Sequence, residues 1–295
     1  AVAGFHVGAH HQRLAVGLAG AILSARAVAT AAKRDSTMRA LVTGAGKRLG
    51  REMALYLARR GYDVAIHYAA SRSEAEAVVK EITAMGRRAC ALRADLLIEA
   101  QVEKLIPMAV QGLGGPLTVL VNNASIFEYD TIRSATRKSW DRAMESNLRA
   151  PFVLTQGFAA QAPEAGVDAA GEPVASALVV NMIDQRVHKL TPEFMSYTLA
   201  KMGLWALTRT AAQGLAPQIR VNAIGPGPTL QGVRQSDGHF ARQRAATVLR
   251  RGANPADITA ALGFFLDSPA VTGQMIAVDG GQHLGWQTPD VLGVE

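Results

Sequence analysis

From residue 38 onward, short apolar runs alternate with longer stretches of helical length. Residues 39–43 read as an apolar strand. A Gly-rich turn follows, Thr43-Gly44-Ala45-Gly46-Lys47-Arg48-Leu49-Gly50, and then a helix to about residue 60, which Gly61 ends. The pattern predicts further strands at 63–68, 88–93, 117–122, 177–182, 219–224 and 274–278. Between them it predicts helices at 73–85, 97–111, 136–160 and 194–215. Pro151 breaks or adjusts the long third helix of that set. Residues 162–175, rich in Pro, Gly and Ala, read as a surface loop. Such regular strand–helix alternation implies an α/β protein: one doubly wound parallel sheet of about seven strands, with helices on both faces. No solenoid-type repeat and no internal linker interrupt residues 38–295, which read as a single domain.

Composition narrows the function classes. Aromatics are 5% of the chain, too few for base-stacking platforms. The net charge is +7, of which residues 1–37 contribute +3, leaving +4 for the rest. With no run of five or more Lys/Arg, that excess suits a small anionic ligand better than a nucleic-acid backbone. The single cysteine, Cys90, excludes an intrachain disulfide and fits a reducing compartment. The seven histidines show no metal-ligand spacing on a shared face, so no metal is predicted. Residues 1–37 are Ala/Gly-rich with one apolar run, too short for a membrane span. Met38 opens M-R-A-L-V-T-G, where a natural start would sit. The segment therefore reads as a poorly ordered extension without function, or else as a targeting leader. The location predicted is the cytoplasm, with organelle targeting by 1–37 as the alternative; no membrane partner is predicted.

Two stretches carry chemistry. The strand–turn–helix–strand from residue 39 to 68 is a mononucleotide-binding half, whose glycines let backbone approach a pyrophosphate at a helix N-terminus. The second is 184–201, ending in Tyr197-Thr198-Leu199-Ala200-Lys201. On a helix, positions four apart share a face, so phenol and ammonium can address one bound molecule. A free tyrosine titrates near pH ~10, and a nearby positive charge lowers that value. On that reading Lys201 lowers the pKa of Tyr197 and makes it a proton donor.

Taken in order, the motifs resemble the short-chain dehydrogenase/reductase family over residues 38–284. Thr43-Gly44 through Gly50 resembles the family's cofactor turn and Asn122-Asn123-Ala124 its NNA motif. Asn147 falls where its active-site Asn does, and Tyr197 and Lys201 match its catalytic pair. Pro226-Gly227 follows the sixth strand, and Val278-Asp279-Gly280-Gly281 closes the fold. The resemblance implies a Rossmann-type fold and a homotetramer. It gives Tyr197 as proton donor, Lys201 on the nicotinamide ribose and Asn147 holding a water. Gly44, Lys47, Arg48, Leu49, Gly50, Asn123, Ala124, Ser125, Pro226 and Gly227 would contact the cofactor, and Asp95-Leu96 its adenine. Strand two ends in His67, Tyr68, Ser71 and Arg72, with no acid before Glu74 to bind a ribose 2′-hydroxyl. NADPH/NADP+ is therefore expected rather than NAD.

Two departures point to the pteridine reductase-like branch. Arg48 stands where a glycine is usual, and Asp184, thirteen residues before Tyr197, stands where a serine is usual. An ionised Asp cannot donate a hydrogen bond to a carbonyl oxygen and would repel a developing oxyanion. It can work with Tyr197 in protonating a ring nitrogen. Asn122-Asn123-Ala124-Ser125-Ile126-Phe127 resembles that branch's NNASxF, whose Phe stacks on a pterin. Arg48, Ser125, Phe127, Asp184 and Tyr197 are thus the expected substrate contacts. The expected substrate is a dihydropterin (dihydromonapterin, dihydrobiopterin or dihydrofolate type) or another flat heterocycle. Alternatives are a 3-oxoacyl-type carbonyl reductase and a non-catalytic NADP(H) sensor. Residues 229–253, with Arg234, Arg242, Arg244, Arg250 and Arg251, read either as a substrate lid or as an exposed arginine-rich helix.

Overall fold

The order of strands in the sheet places everything else. In the computed structural model, which describes residues 38–232 and 235–288, seven parallel strands lie side by side. They are β1 (Arg39–Val42), β2 (Asp63–Tyr68), β3 (Ala89–Arg93), β4 (Val119–Asn122), β7 (Ala177–Met182), β8 (Ile219–Pro226) and β9 (Met275–Val278), in the order β3-β2-β1-β4-β7-β8-β9. The strand order reverses between β1 and β4. In open sheets of this kind ligands bind where that reversal opens a crevice beyond the carboxyl ends. The expected fold is present. The expectations for residues 1–37 and for Arg234 lie outside the described residues.

Both faces of the sheet are covered, and the strand pleat sorts the core into two layers. Ala40, Val42, Val64, Ile66, Val119, Val121, Leu178 and Val180 face one side. There they meet α1 (Arg48–Arg59), α2 (Arg72–Ala84) and α8 (Pro255–Asp267) through Met53, Leu57, Ile82 and Phe265. The intervening Leu41, Ala65, Leu120, Ala177 and Val179 face the other side. They pack on α3 (Glu99–Leu113) and α5 (Ala150–Gln161) through Leu105, Leu113, Leu154 and Phe158. Such fully buried side chains each stabilise the fold by roughly 1.5–3 kcal/mol.

Two local predictions changed. The helix expected over 136–160 is α4 (Arg137–Met144), a π turn at Glu145–Arg149, and α5. Pro151 has no N–H to give the preceding turn, and the chain widens to an Ala150 N–H to Glu145 C=O bond just before it. The loop expected over 162–175 contains a small antiparallel hairpin, β5 (Gly166–Val167) with β6 (Pro173–Val174). The remaining helices are α6 (Met195–Gly214) and α7 (Asp237–Ala245). Among the described residues no helix is long and apolar enough to cross a membrane.

Candidate active site

The first β–α turn is built for close backbone approach. Gly44 has φ 62°, and a Cβ on Gly50 would lie 2.3 Å from the Gly44 carbonyl oxygen. Thr43 Oγ1 accepts the N–H groups of Asn123 and Ala124, both at 2.9 Å, and Asn123 Nδ2 donates to Thr43 O at 2.8 Å. The turn after β1 is thereby locked to the segment after β4, across the reversal point. Between them and the end of β2 lies a cleft of about 780 Å³. It is lined by Gly44, Lys47, Arg48, Leu49, Gly50, Tyr68, Ser71, Asn123, Ala124 and Ser125, together with Ala69, Ala70, Ser73 and Glu74. No acid lies in the first turn of α1, so its N-terminal N–H groups and dipole suit an anion.

Arg48 stands at φ 54°, in the left-handed region that favours glycine, at a cost on the order of 1 kcal/mol. Its guanidinium donates to the carbonyls of Gln231 and Leu230, at 2.8 and 3.0 Å. It thus ties the cofactor turn to the base of the 229–253 segment.

Not every expected contact lines this cleft. His67 is buried beneath the turn. Its Nδ1 accepts the Gly44 N–H at 3.0 Å, and Nε2 lies 3.1 Å from the Ala94 carbonyl, which makes it the donor. Burial pushes its pKa down to about 4, so the ring is neutral and holds the turn in shape. Arg72 points to solvent and pairs with Glu76 at 2.7 Å. Asp95 spends Oδ1 on the Leu97 N–H, and Leu96 is a core residue. Pro226 ends β8, and Gly227, just beyond it, lies too close to Asp279 for any side chain. Glu74, the first acid in the sequence after strand two, lines the cleft and pairs with Lys47 at 2.5 Å.

The second cluster sits beyond β7. Tyr197 Oη donates to Asp184 Oδ2 at 2.9 Å, and Asp184 Oδ1 accepts the Arg186 N–H at 2.8 Å. Lys201 Nζ donates to the Met182 carbonyl at 2.8 Å and lies over the Tyr197 ring, 5.6 Å from its centre. Ser125, at the cleft wall, lies beside Tyr197, where its hydroxyl favours the phenolate, and joins the two clusters. Burial, then Asp184, pushes the Tyr197 phenol well above its ordinary pKa. This corrects the expectation that Lys201 lowers it: dehydration and an adjacent carboxylate both disfavour the phenolate. Burial likewise raises the Asp184 carboxyl and lowers Lys201 to about 8, against the pull of Asp184.

Asn147 is fully buried in the π turn. Its amide holds Ile126, accepting the N–H at 2.9 Å and donating to the C=O at 2.8 Å. Its side chain therefore clamps the segment carrying Phe127. Phe127 stacks on Phe194 with centroids 4.2 Å apart and meets Tyr197 edge-on at 4.7 Å. The Arg186 guanidinium lies 4.8 Å from the Phe194 ring centre. Its charge opposes the upward shifts of Asp184 and Tyr197. Phe194 and Arg186 carried no sequence signal, since only the fold brings them against Phe127.

Comparison with known proteins decides the family. The family described as Enoyl-(Acyl carrier protein) reductase matches residues 44–283. The chain is a short-chain dehydrogenase/reductase. It is 33% identical to the 3-oxoacyl-[acyl-carrier-protein] reductase FabG of Staphylococcus epidermidis, over 83% of this chain and 98% of that one. Among solved structures it is similar to FolM alternative dihydrofolate reductase 1 from Brucella canis in complex with NADP, at 42% identity and TM-score 0.78, covering 87% of this chain and 98% of the other. The Brucella suis FolM structure, also with NADP, gives 43% and 0.80, covering 86% and 98%. This short-chain reductase therefore has pteridine reductase-like relatives.

Proposed function

We propose that this NADP(H)-dependent short-chain oxidoreductase reduces a dihydropterin. The observation that carries the reading is the Tyr197–Asp184 hydrogen bond at 2.9 Å. It puts the acid that replaces the usual serine against the proton donor itself. A carboxylate there accepts rather than donates, so it suits a substrate that presents N–H groups and takes a proton on nitrogen. The NADP of the two FolM relatives supports the cofactor, and the cleft fits it: a glycine turn, an acid-free helix N-terminus, and Lys47 for phosphate. NADPH, when bound, supplies the hydride. The chain's own residues supply the rest. Tyr197 is protonated at neutral pH, as a donor must be, and its proton lies on the line to Asp184 Oδ2. Phe127 and Phe194, stacked beside Tyr197, form an aromatic wall for a flat ring.

A second reading, 3-oxoacyl reduction, draws support from the 33% identity to FabG. NADPH oxidation measured with 7,8-dihydropterins and separately with β-keto thioesters distinguishes the two. Turnover of dihydropterins is expected; turnover of thioesters alone rejects the pterin reading. Tight NADPH binding with no turnover of either would favour a sensor. Tyr197→Phe is expected to remove most turnover while NADPH affinity stays largely intact. A fully active Tyr197→Phe enzyme rejects Tyr197 as donor.

A further inference from the structure

Helix α6, which carries Tyr197 and Lys201, begins without a cap of its own. Its N-cap residue is Phe194, which has no side-chain acceptor and sits at φ 56°. The first N–H groups of a helix have no partner within it and need one elsewhere. The partner here comes from a distant loop. Ser196 N–H donates to Asp130 Oδ1 at 3.0 Å, from 66 residues away, and Ser196 Oγ donates to Oδ2 at 2.6 Å. Met195 N–H donates to the Asp130 main-chain oxygen at 3.2 Å. Ser139 Oγ, on α4, donates to the same Oδ2 at 3.0 Å. Asp130 is 3% exposed and Ser196 2%. Burial alone would raise the Asp130 carboxyl, but the hydrogen bonds from Ser196, Ser139 and Met195 outweigh it and hold it below its ordinary value.

The position of this carboxylate matters as much as its bonds. Ser196 immediately precedes Tyr197. Asp130 also closes the short segment whose other end, Ile126, is gripped by Asn147. Phe127 lies inside that segment. One buried carboxylate therefore joins the aromatic wall of the site to the first turn of the helix that bears the proton donor.

We propose that Asp130 is a positioning residue for Tyr197: it caps α6 from outside and fixes the phenol relative to Asp184 and Phe127. The inference rests on Tyr197 being the proton donor. A misplacement of about 1 Å at a reacting group costs on the order of a hundredfold in rate. Loss of a cap alone costs stability only, typically about 1 kcal/mol.

The test measures kcat and KM for dihydropterin reduction, and NADPH affinity by fluorescence, in Asp130→Ala, Asp130→Asn, Ser196→Ala and Tyr197→Phe. Asp130→Ala is expected to lower kcat roughly ten- to a hundredfold, with NADPH affinity within about twofold of the parent. Asn keeps an acceptor for the Ser196 N–H, so Asp130→Asn should recover most of kcat. Ser196→Ala, which leaves the main-chain bond, should lower kcat by a smaller factor. Parental kcat in Asp130→Ala overturns the proposal. So does a parallel loss of kcat and NADPH affinity that Asn does not restore, because that pattern is general loss of fold. Should Asp130→Ala fail to fold, Ser196→Ala decides: unchanged kcat overturns the proposal, and reduced kcat at unchanged NADPH affinity supports it. Tyr197→Phe separates the two levels. Full activity there removes the donor reading, whereas an inactive Tyr197→Phe beside a normal Asp130→Ala removes only the positioning role.

Discussion

Lys201 shows how burial reshapes a side chain whose type alone was legible. Its ammonium is charged below about pH 8 and loses the proton above it, because burial disfavours the charge. Activity that depends on the cation should therefore fall as pH rises through that value. kcat/KM for NADPH, which reports the free enzyme, is expected to decline about tenfold per pH unit beyond it. In Lys201→Arg, always charged, that limb should disappear from the accessible range, at a reduced plateau. A limb that stays near pH 8 in the Arg variant would assign it to another group. Glu74 makes a second residue-scale case. It holds Lys47 at 2.5 Å within the cleft, where a ribose 2′-phosphate would compete for the same ammonium. Glu74→Gln is expected to tighten NADPH binding several-fold and leave NADH unchanged, as read by direct titration of each. An equal effect on both nucleotides would place Glu74 away from the 2′-phosphate.

At the scale of elements, the strand–turn–helix units were legible because apolar runs, glycine stops and a glycine turn are local signals. The Pro151 adjustment was legible too, though only the fold shows that it takes the form of a π turn presenting Asn147. The 229–253 segment was not legible: arginine spacing cannot say whether a guanidinium meets ligand, solvent or backbone. Arg244 meets backbone. It donates to the carbonyls of Pro228 and Ala253, at 2.9 and 2.5 Å, and to Gly252 at 3.1 Å. It also donates to Asn254 Oδ1 at 2.9 Å. These bonds draw the two ends of the segment together. Arg244→Ala should therefore speed limited proteolysis within 229–253 while the sheet's thermal unfolding changes little. Unaltered cleavage kinetics would show that the segment is held by other contacts.

For the whole molecule, stability rests on two apolar layers, one on each side of the sheet, and the site contributes buried polar groups at its upper edge. Phe158 is fully buried in one layer and does not line the cleft. Phe158→Ala is expected to cost about 3–5 kcal/mol, seen as a lower urea midpoint, with NADPH affinity of the folded protein unchanged. A loss of affinity at unchanged midpoint would mean that this layer also shapes the site.

The sequence by itself determined the strand and helix order, the doubly wound sheet and the glycine turn, and it placed Tyr197 and Lys201 one helical turn apart. Each of these is written in nearest-neighbour patterns or fixed spacings along the chain. Only the tertiary structure decided which charges survive burial, and that His67 supports the turn while Glu74 enters the cleft. It alone set Phe194 against Phe127 and brought Asp130 to a helix that begins 65 residues later. Those outcomes depend on distances through space and on exclusion of water, and neither quantity is encoded in any local stretch of residues.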